Sequence, residues 1–343
     1  MEVAGTSLVI KGAPGGTILD AQSAFRHLNV HEGAQVTLLD VQLVNGLVSF
    51  DRGGCILVQG EGSELQMSNS KLSNCRAHGF LTGFGGGIAV QDGATVVLDD
   101  VDFDHCVAES GGGAISADAG QTSGVRVVAR GITAANCSAG VGGGFMGVLD
   151  GGHSADVAIY DSSFENCTVP DPEDSALGVS MGGMLFVFAG SLFSRAGGDV
   201  LFTDVIGPVN VTLQGSSMKR CIGGEYGGAV CLWLTPRPYH HMEVTDCSFI
   251  ECQQAVVSFG TSVRMDNTVF QGSWSNTAYA SALHLETGIA DVHFEVTRCR
   301  FLDSASGATR SLDTTFCVDT DPRFLATIVL TLQPAQLFCQ ALC

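Results

Sequence analysis

Positive charge is what this sequence has least of. Lys and Arg number 16 against 35 Asp and Glu, charged residues make up 15% of the chain, and the formal net charge is −19. No basic run occurs, which argues against nucleic acid as a partner, because backbone binding depends on clustered Lys and Arg. The same deficit disfavours direct binding of acidic polysaccharides or anionic membranes. Long apolar runs are missing too: MGGMLFVFAGSLF (Met181 to Phe193) and FLATIVLTL (Phe324 to Leu332) fall short of the roughly 20 residues a membrane helix needs. No membrane insertion is expected. The opening MEVAGTSLVIKGAPGG has neither the basic start nor the apolar centre of a signal peptide.

Glycine, by contrast, is abundant at 45 of 343 residues, and there are 13 cysteines. Such a cysteine count suits an oxidising compartment. The chain also opens inside a repeat, so it is expected to be a fragment of a longer extracellular or cell-surface protein, the rival being a cytoplasmic protein with reduced cysteines. The repeat is anchored on Leu43, Leu72, Phe103, Ala134, Phe164, Phe193, Met218, Phe249, Phe270 and Phe301, with spacings between 21 and 31 residues. Seven and five residues before each anchor stand apolar side chains such as Val96 and Leu98, Val127 and Ala129, Val157 and Ile159, and Phe186 and Phe188. The residue between them varies. That alternation marks a strand with one buried face. Three residues before the anchors come Asp40, Asn69, Asp100, Gly131, Asp161, Gly190, Gly215, Asp246 and Asn267, residues that tolerate the left-handed backbone of a tight corner.

Glycine pairs or triplets at Gly53, Gly85, Gly111, Gly142, Gly182 and Gly227 each precede a further apolar stretch. A module of this size cannot close its own core, so neighbours must stack. Helical repeats are excluded by the alternation and by the glycines. The expected fold is all-β: a single-stranded parallel β-helix of about ten to twelve coils, with equivalent strands about 4.8 Å apart. It is expected over residues 1–313, with an irregular Cys-containing segment or last coil over 314–343. The stretch from Pro170 to Ser180 reads as a surface loop.

Cys75, Cys106, Cys137, Cys167, Cys221 and Cys252 each follow an anchor by three residues. Stacking puts them in one inward column, expected to break at the coil of Phe193. Cysteine is a readily buried small side chain, so the column is read as structural. Cys247 and Cys299 share another offset, with the coil of Phe270 between them, while Cys339 and Cys343 are close enough in sequence to pair. Which cysteines bond stays open at this point. No C-x-x-C pair is present and no metal site is expected. Acceptor sequons occur at Asn136, Asn166 and Asn210, candidate glycosylation sites.

Chemistry is harder to find. Asp99, Asp100, Asp102, Asp104 and His105 form the richest acidic patch, but Asp100 belongs to the corner series, and Asp102 and Asp104 alternate with Val101 and Phe103 and face solvent. Arg130 and Arg220 have no neighbouring basic column. His240 and His241 point to opposite faces of an extended segment, and His284 and Glu286 read as an ordinary exposed pair. Gly197, Gly198 and Asp199 make one isolated partial match to a calcium nonapeptide. No G-x-S-x-G, P-loop lysine or H-E-x-x-H motif occurs. No catalytic, cofactor-binding or metal residues are therefore assigned, and no cofactor is expected.

In this register the chain resembles the right-handed parallel β-helix, pectin-lyase-like superfamily. GGGIAV, GGGAIS, GGGFMG and YGGAVC, with FENC and FDHC, are similar to the repeats of polymorphic outer-membrane proteins and of surface proteins of microbial eukaryotes. Gly112, Gly113, Ala114 and Ile115 match the G-G-A-I hallmark in full; Phe164 to Cys167 departs from F-x-x-N because Asn166 falls one residue early. The resemblance implies a non-enzymatic extracellular or cell-surface module for structure, adhesion or display. Carbohydrate or a surface protein is the expected partner, within a larger protein or an end-to-end assembly. The alternative is a carbohydrate-active enzyme, a polysaccharide lyase or glycoside hydrolase, of which Asp99-Asp100 matches a D-D element. What separates the two is a lateral groove where two carboxylates, or a carboxylate and a base, converge from neighbouring coils.

Overall fold

The computed structural model describes residues 1–79, 82–120, 123–150, 153–169, 184–189, 208–223, 229–234, 239–275, 282–286, 293–302, 305–306, 316–319 and 327–331. The loop expected over Pro170 to Ser180, the glycine pairs at Gly182 and Gly227, Gly190, the anchor Phe193, the Gly197–Gly198–Asp199 match, and Cys339 and Cys343 lie outside these residues. Among the described residues no helix is long and apolar enough to cross a membrane.

The chain winds as a single-stranded parallel β-helix, each strand pairing with its equivalent one coil away. Its first face is a sheet of 11 strands running from Glu2–Ala4 to Phe316–Asp319. A second face runs from Ser7–Lys11 to Thr327–Thr331, and a third from Thr17–Asp20 to Arg300–Leu302. The register is the one the period demands. Val96 lies between Leu65 and Val127, Val127 is followed by Val157, and Phe103 stands between Leu72 and Ala134. All are buried. Inside, the anchors meet ring to ring: Phe249, Phe270 and Phe301 stack in file at 5.0 and 4.9 Å, and Phe145, from the first face, sits between Phe103 and Phe164.

The corner between the second and third faces is left-handed at every described coil from Asp40 onward. Asp40, Asn69, Asp100, Gly131, Asp161, Gly215, Asp246, Asn267 and Arg298 all have φ between +46° and +64°. Asp is followed by Gly at two of these steps for a steric reason. A Cβ on Gly131 would lie 3.3 Å from Cγ of Asp100, and one on Gly215 3.5 Å from Cγ of Asp161, so each corner carboxylate fills the space that the next coil's glycine leaves. Arg298, the exception in kind, is tied back by its guanidinium to Asp266 one coil below. A second left-handed corner falls two residues after the anchors at Asn45, Asn74, His105, Asn136, Asn166, Arg220 and Glu251, where Asn suits the backbone at four coils and His105, Arg220 and Glu251 adopt it without that preference. Its side chains link coil to coil: Asn166 donates to Asn136 Oδ1 at 3.3 Å, and Arg220 Nε to Asn166 Oδ1 at 3.0 Å.

First-face strands from Ile56–Gln59 to Ile115–Asp118 are buried on both sides. In Ile56–Gln59, Ile88–Gln91 and Ile115–Asp118 three consecutive residues are buried, because the glycine segments cross the outer side of the sheet. Gly112 adopts φ +69°, and a Cβ there would stand 2.6 Å from the Ile115 carbonyl carbon and 3.0 Å from Ser116 Cα. Only glycine fits this crossing.

This double burial corrects the placement of one coil. Spacing alone puts Phe186 and Phe188 in the alternating strand before an anchor at Phe193. In the structure Leu185–Ala189 belongs to the first face, between Met146–Asp150 and Val230–Leu234. Continuous apolar sequence after glycines is the signature of that face. On the other faces Val157 pairs directly with Val211, and Phe164 with Met218. The cysteine column is consequently unbroken at this point: Thr168, beside Cys167, bridges to Ile222, beside Cys221. Cys106, Cys137, Cys167, Cys221 and Cys252 are free and fully buried. Cys75, at the head of the column, bonds instead to Cys55, which follows the first glycine pair, across a Cα separation of 5.5 Å. Burial pushes the thiols of Cys247 and Cys299 up to about 11 and raises Cys231 as well.

Candidate functional site

Outward positions beside the corner form columns along the rod, just as inward ones do. Directly before the anchors, Gln42, Lys71 and Asp102 stand in register on three successive coils. Around them the turn through Gly15 and Gly16 folds over the corner, fixed by hydrogen bonds from Gly12 N to Leu39 O at 2.8 Å and from Thr17 N to Asp40 O at 3.1 Å. The result is a lateral cleft of about 280 Å³ lined by Gly16, Asp40, Gln42, Asn69, Lys71 and Asp102, among others. Lys71 Nζ also lies 3.5 Å from Asp104 Oδ2, and Asp104 Oδ1 lies 2.6 Å from His105 Nδ1. Burial raises the Asp104 carboxyl, but the His105 hydrogen bond and charge, with Lys71 behind them, leave it below the ordinary aspartate range.

The acidic patch singled out in the sequence is thereby divided. Asp102 enters the cleft and Asp104 braces its lysine. Asp100 caps Gly131, and Asp99 lies exposed on the second face. His105 is a corner residue with φ +53°. Asp40, Gln42 and Lys71 escape sequence reading because no local motif joins them; only the outward columns, written in register, place Lys71 beside Asp102.

The other candidates disperse. Arg220 is ion-paired to Glu165 and bonded to Asn166. His240 is buried and His241 exposed, on opposite sides as expected; His240 Nδ1 accepts from Val209 N at 3.3 Å. His284 is buried in a first-face strand, a correction to the exposed pair read from LHLET, again because that face is covered on both sides. Asn136 and Asn166 are half-buried or more open and Asn210 is exposed, while Cys137 and Cys167 are buried. Among the described residues no group of three or more His, Cys, Asp or Glu is arranged to hold a metal ion.

No protein-family model matches the chain, and no curated protein does. Among solved structures, it is similar to the tailspike protein gp49 of Acinetobacter baumannii bacteriophage Fri1, a capsular polysaccharide depolymerase. Identity is 13% and the TM-score 0.27, covering 96% of this chain and 62% of the tailspike. It is also similar to the A-module of the Azotobacter vinelandii mannuronan C-5 epimerase AlgE4, at 11% identity and a TM-score of 0.24, covering 99% of this chain and 91% of that one. At these identities the likeness concerns the fold.

The non-enzymatic reading of the sequence, a module for structure, adhesion or display, is corrected. The described surface contains the feature that the sequence reading reserved for an enzyme, a lateral cleft lined by carboxylates and a lysine from neighbouring coils.

Proposed function

We propose that the chain is a carbohydrate-active enzyme that binds a polysaccharide along its lateral face and cleaves a glycosidic linkage at the cleft. The observation that carries this reading is the convergence of Asp40, Lys71 and Asp102 from three successive coils on one cavity. Two carboxylates flanking a linkage are the groups that glycosidic cleavage needs, one to protonate the leaving oxygen and one to act on the opposite side of the ring. Asp40 and Asp102 lie two coils apart, roughly 9 to 10 Å along the stack, which leaves room for a sugar between them. Lys71, held by Asp104, stands between them as a hydrogen-bond donor to ring hydroxyls. The two solved structures of similar fold are a capsular polysaccharide depolymerase and a mannuronan epimerase, and a polysaccharide is the substrate class proposed for this chain too. An extracellular or cell-surface location goes with that substrate, and the Cys55–Cys75 bond favours it, since such bonds persist in oxidising compartments.

The test is release of new reducing ends from a panel of neutral and acidic polysaccharides. Activity on one member of the panel should fall about a hundredfold or more in Asp102→Asn, in line with the loss of a general acid or base, at an unchanged melting temperature. Full activity in Asp102→Asn and Asp40→Asn would overturn the assignment.

A further inference from the structure

A second outward column runs along the adjoining second face, one residue before the corner that separates it from the cleft column: Asp99, Arg130, Tyr160 and Gln214 pair in register on four successive coils. Three of the four are exposed and Tyr160 is half-buried. Arg130 is held by an aromatic ring and not by a carboxylate. Arg26, Arg126, Arg220, Arg264 and Arg298 each pair with a carboxylate. Arg130 makes no ion pair among the described residues, and its guanidinium carbon lies 5.3 Å from the centroid of the Tyr160 ring. Such a contact orients the planar fork without occupying its N–H groups. The column thus presents an acceptor, a five-donor fork, a phenol and an amide in succession.

We propose that this column is a glycan-binding subsite continuous with the cleft, and that its ligand is an uncharged polysaccharide laid along the rod with about one sugar per coil. The inference rests on the carbohydrate reading above and adds the substrate class to it. Two observations point there. Coils repeat about every 4.8 Å, close to the advance of one pyranose along an extended glycan, so equivalent hydroxyls meet equivalent rungs. Charge decides the class. The column and the cleft together carry Asp40, Asp99, Asp102 and Asp104 against Lys71 and Arg130, on a chain of net charge −19. A polyuronate would meet repulsion along the whole track, whereas hydroxyl groups satisfy carboxylates and a guanidinium alike. Tyr160 is therefore a positioning residue for Arg130 as well as a contact of its own.

Binding is measured by titration calorimetry on the full chain carrying Asp102→Asn, so that cleavage does not consume the probe. The probes are a neutral glucan heptasaccharide, a neutral mannan heptasaccharide and a polyuronate of equal length. At least one neutral probe should bind, and bind more tightly than the polyuronate. Adding Arg130→Ala or Tyr160→Ala should weaken it about tenfold, whereas Tyr160→Phe, which keeps the ring under the guanidinium, should lose less. Melting temperatures monitor folding of each variant. Undiminished binding in Arg130→Ala and Tyr160→Ala, tighter binding of the polyuronate, or binding of no probe overturns the inference. The cleavage assay on the otherwise native chain reports separately: activity lost in Asp102→Asn with binding indifferent to Arg130 sinks only the subsite. Binding sensitive to Arg130 with cleavage indifferent to Asp102 and Asp40 sinks only the catalytic assignment.

Discussion

Gly112 offers the sharpest perturbation of the coil. Its φ of +69° is a conformation that costs an L-residue with a Cβ about 1 to 2 kcal/mol. A Cβ there would also stand 2.6 Å from the Ile115 carbonyl carbon, well inside van der Waals contact. Ile115 is paired on both sides, to Ile88 and to Met146, so its backbone cannot step aside without breaking two ladders. Overpacking of that kind adds about 1 to 3 kcal/mol, and Gly112→Ala should lose about 2 to 5 kcal/mol in all. Gly62 is the control. Its φ is +77°, but the nearest atom to a Cβ is Gly33 Cα at 3.6 Å, so Gly62→Ala should lose only the conformational part, about 1 to 2 kcal/mol. Urea unfolding followed by circular dichroism gives the comparison. Peptide-level hydrogen exchange shows whether the loss is centred on Ile115–Asp118 and the two strands that flank it, Ile88–Gln91 and Met146–Asp150. Equal losses in the two variants would refute the claim that glycine is required because the segment crosses the sheet at close range.

Three further outcomes follow from the same packing. Cys247 and Cys299, raised by burial to about 11, and the fully buried column from Cys106 to Cys252 should resist a thiol reagent at pH 8 until the chain unfolds; peptide mass spectrometry that finds any of them labelled in the folded protein contradicts their placement. The Arg298 hydrogen bond, outweighing burial and helped by the Thr297 hydroxyl, holds Asp266 at about 2, below its ordinary value of about 4. Its stabilisation is thus present above about pH 4 and lost as pH falls towards about 2, so Asp266→Asn should destabilise the chain at neutral pH and make little difference at the acid end, read from urea midpoints. Phe164→Ala removes a fully buried ring that contacts Phe145 at 4.7 Å and should lose about 3 to 5 kcal/mol; a loss under about 1 kcal/mol in the same unfolding assay would mean that the anchor file is not a packed core.

Much of the fold is legible in the sequence because stacking turns a linear period into a column. Val96, Val127 and Val157 can be aligned from spacing alone, and the Asp, Asn and Gly corner can be recognised from backbone preference. What misleads is burial on two sides. Phe186 and Phe188 look like an alternating strand if only spacing is consulted, and the covering glycine segments that make the first face continuously apolar are visible only once the coil is built. The second corner is legible only in part: Asn45, Asn74, Asn136 and Asn166 carry the same backbone preference, but Arg220 and Glu251 occupy left-handed positions that their residue types do not signal. The cleft is the least legible part. Asp40, Lys71 and Asp102 are spread over three coils of sequence, and no motif links them; only the register and the turn at Gly15 and Gly16 bring them together.

The register itself is the claim on which the cleft, the cysteine column and the glycan track all depend. Its most demanding instance is the pairing of Ser163 with Ser217, beside a Ser162 to Ser216 hydrogen bond that spans 54 residues of sequence. The Ser163 and Ser217 side chains lie on the outer side of adjacent parallel strands, within the Cα range a disulfide spans. A chain carrying Ser163→Cys and Ser217→Cys should therefore form that bond under mild oxidation, identified by mass spectrometry of the digested, thiol-blocked protein. Failure to form it, while the equivalent pair Thr133→Cys and Ser163→Cys bonds readily, would show that another coil lies between Phe164 and Met218 and would contradict the account.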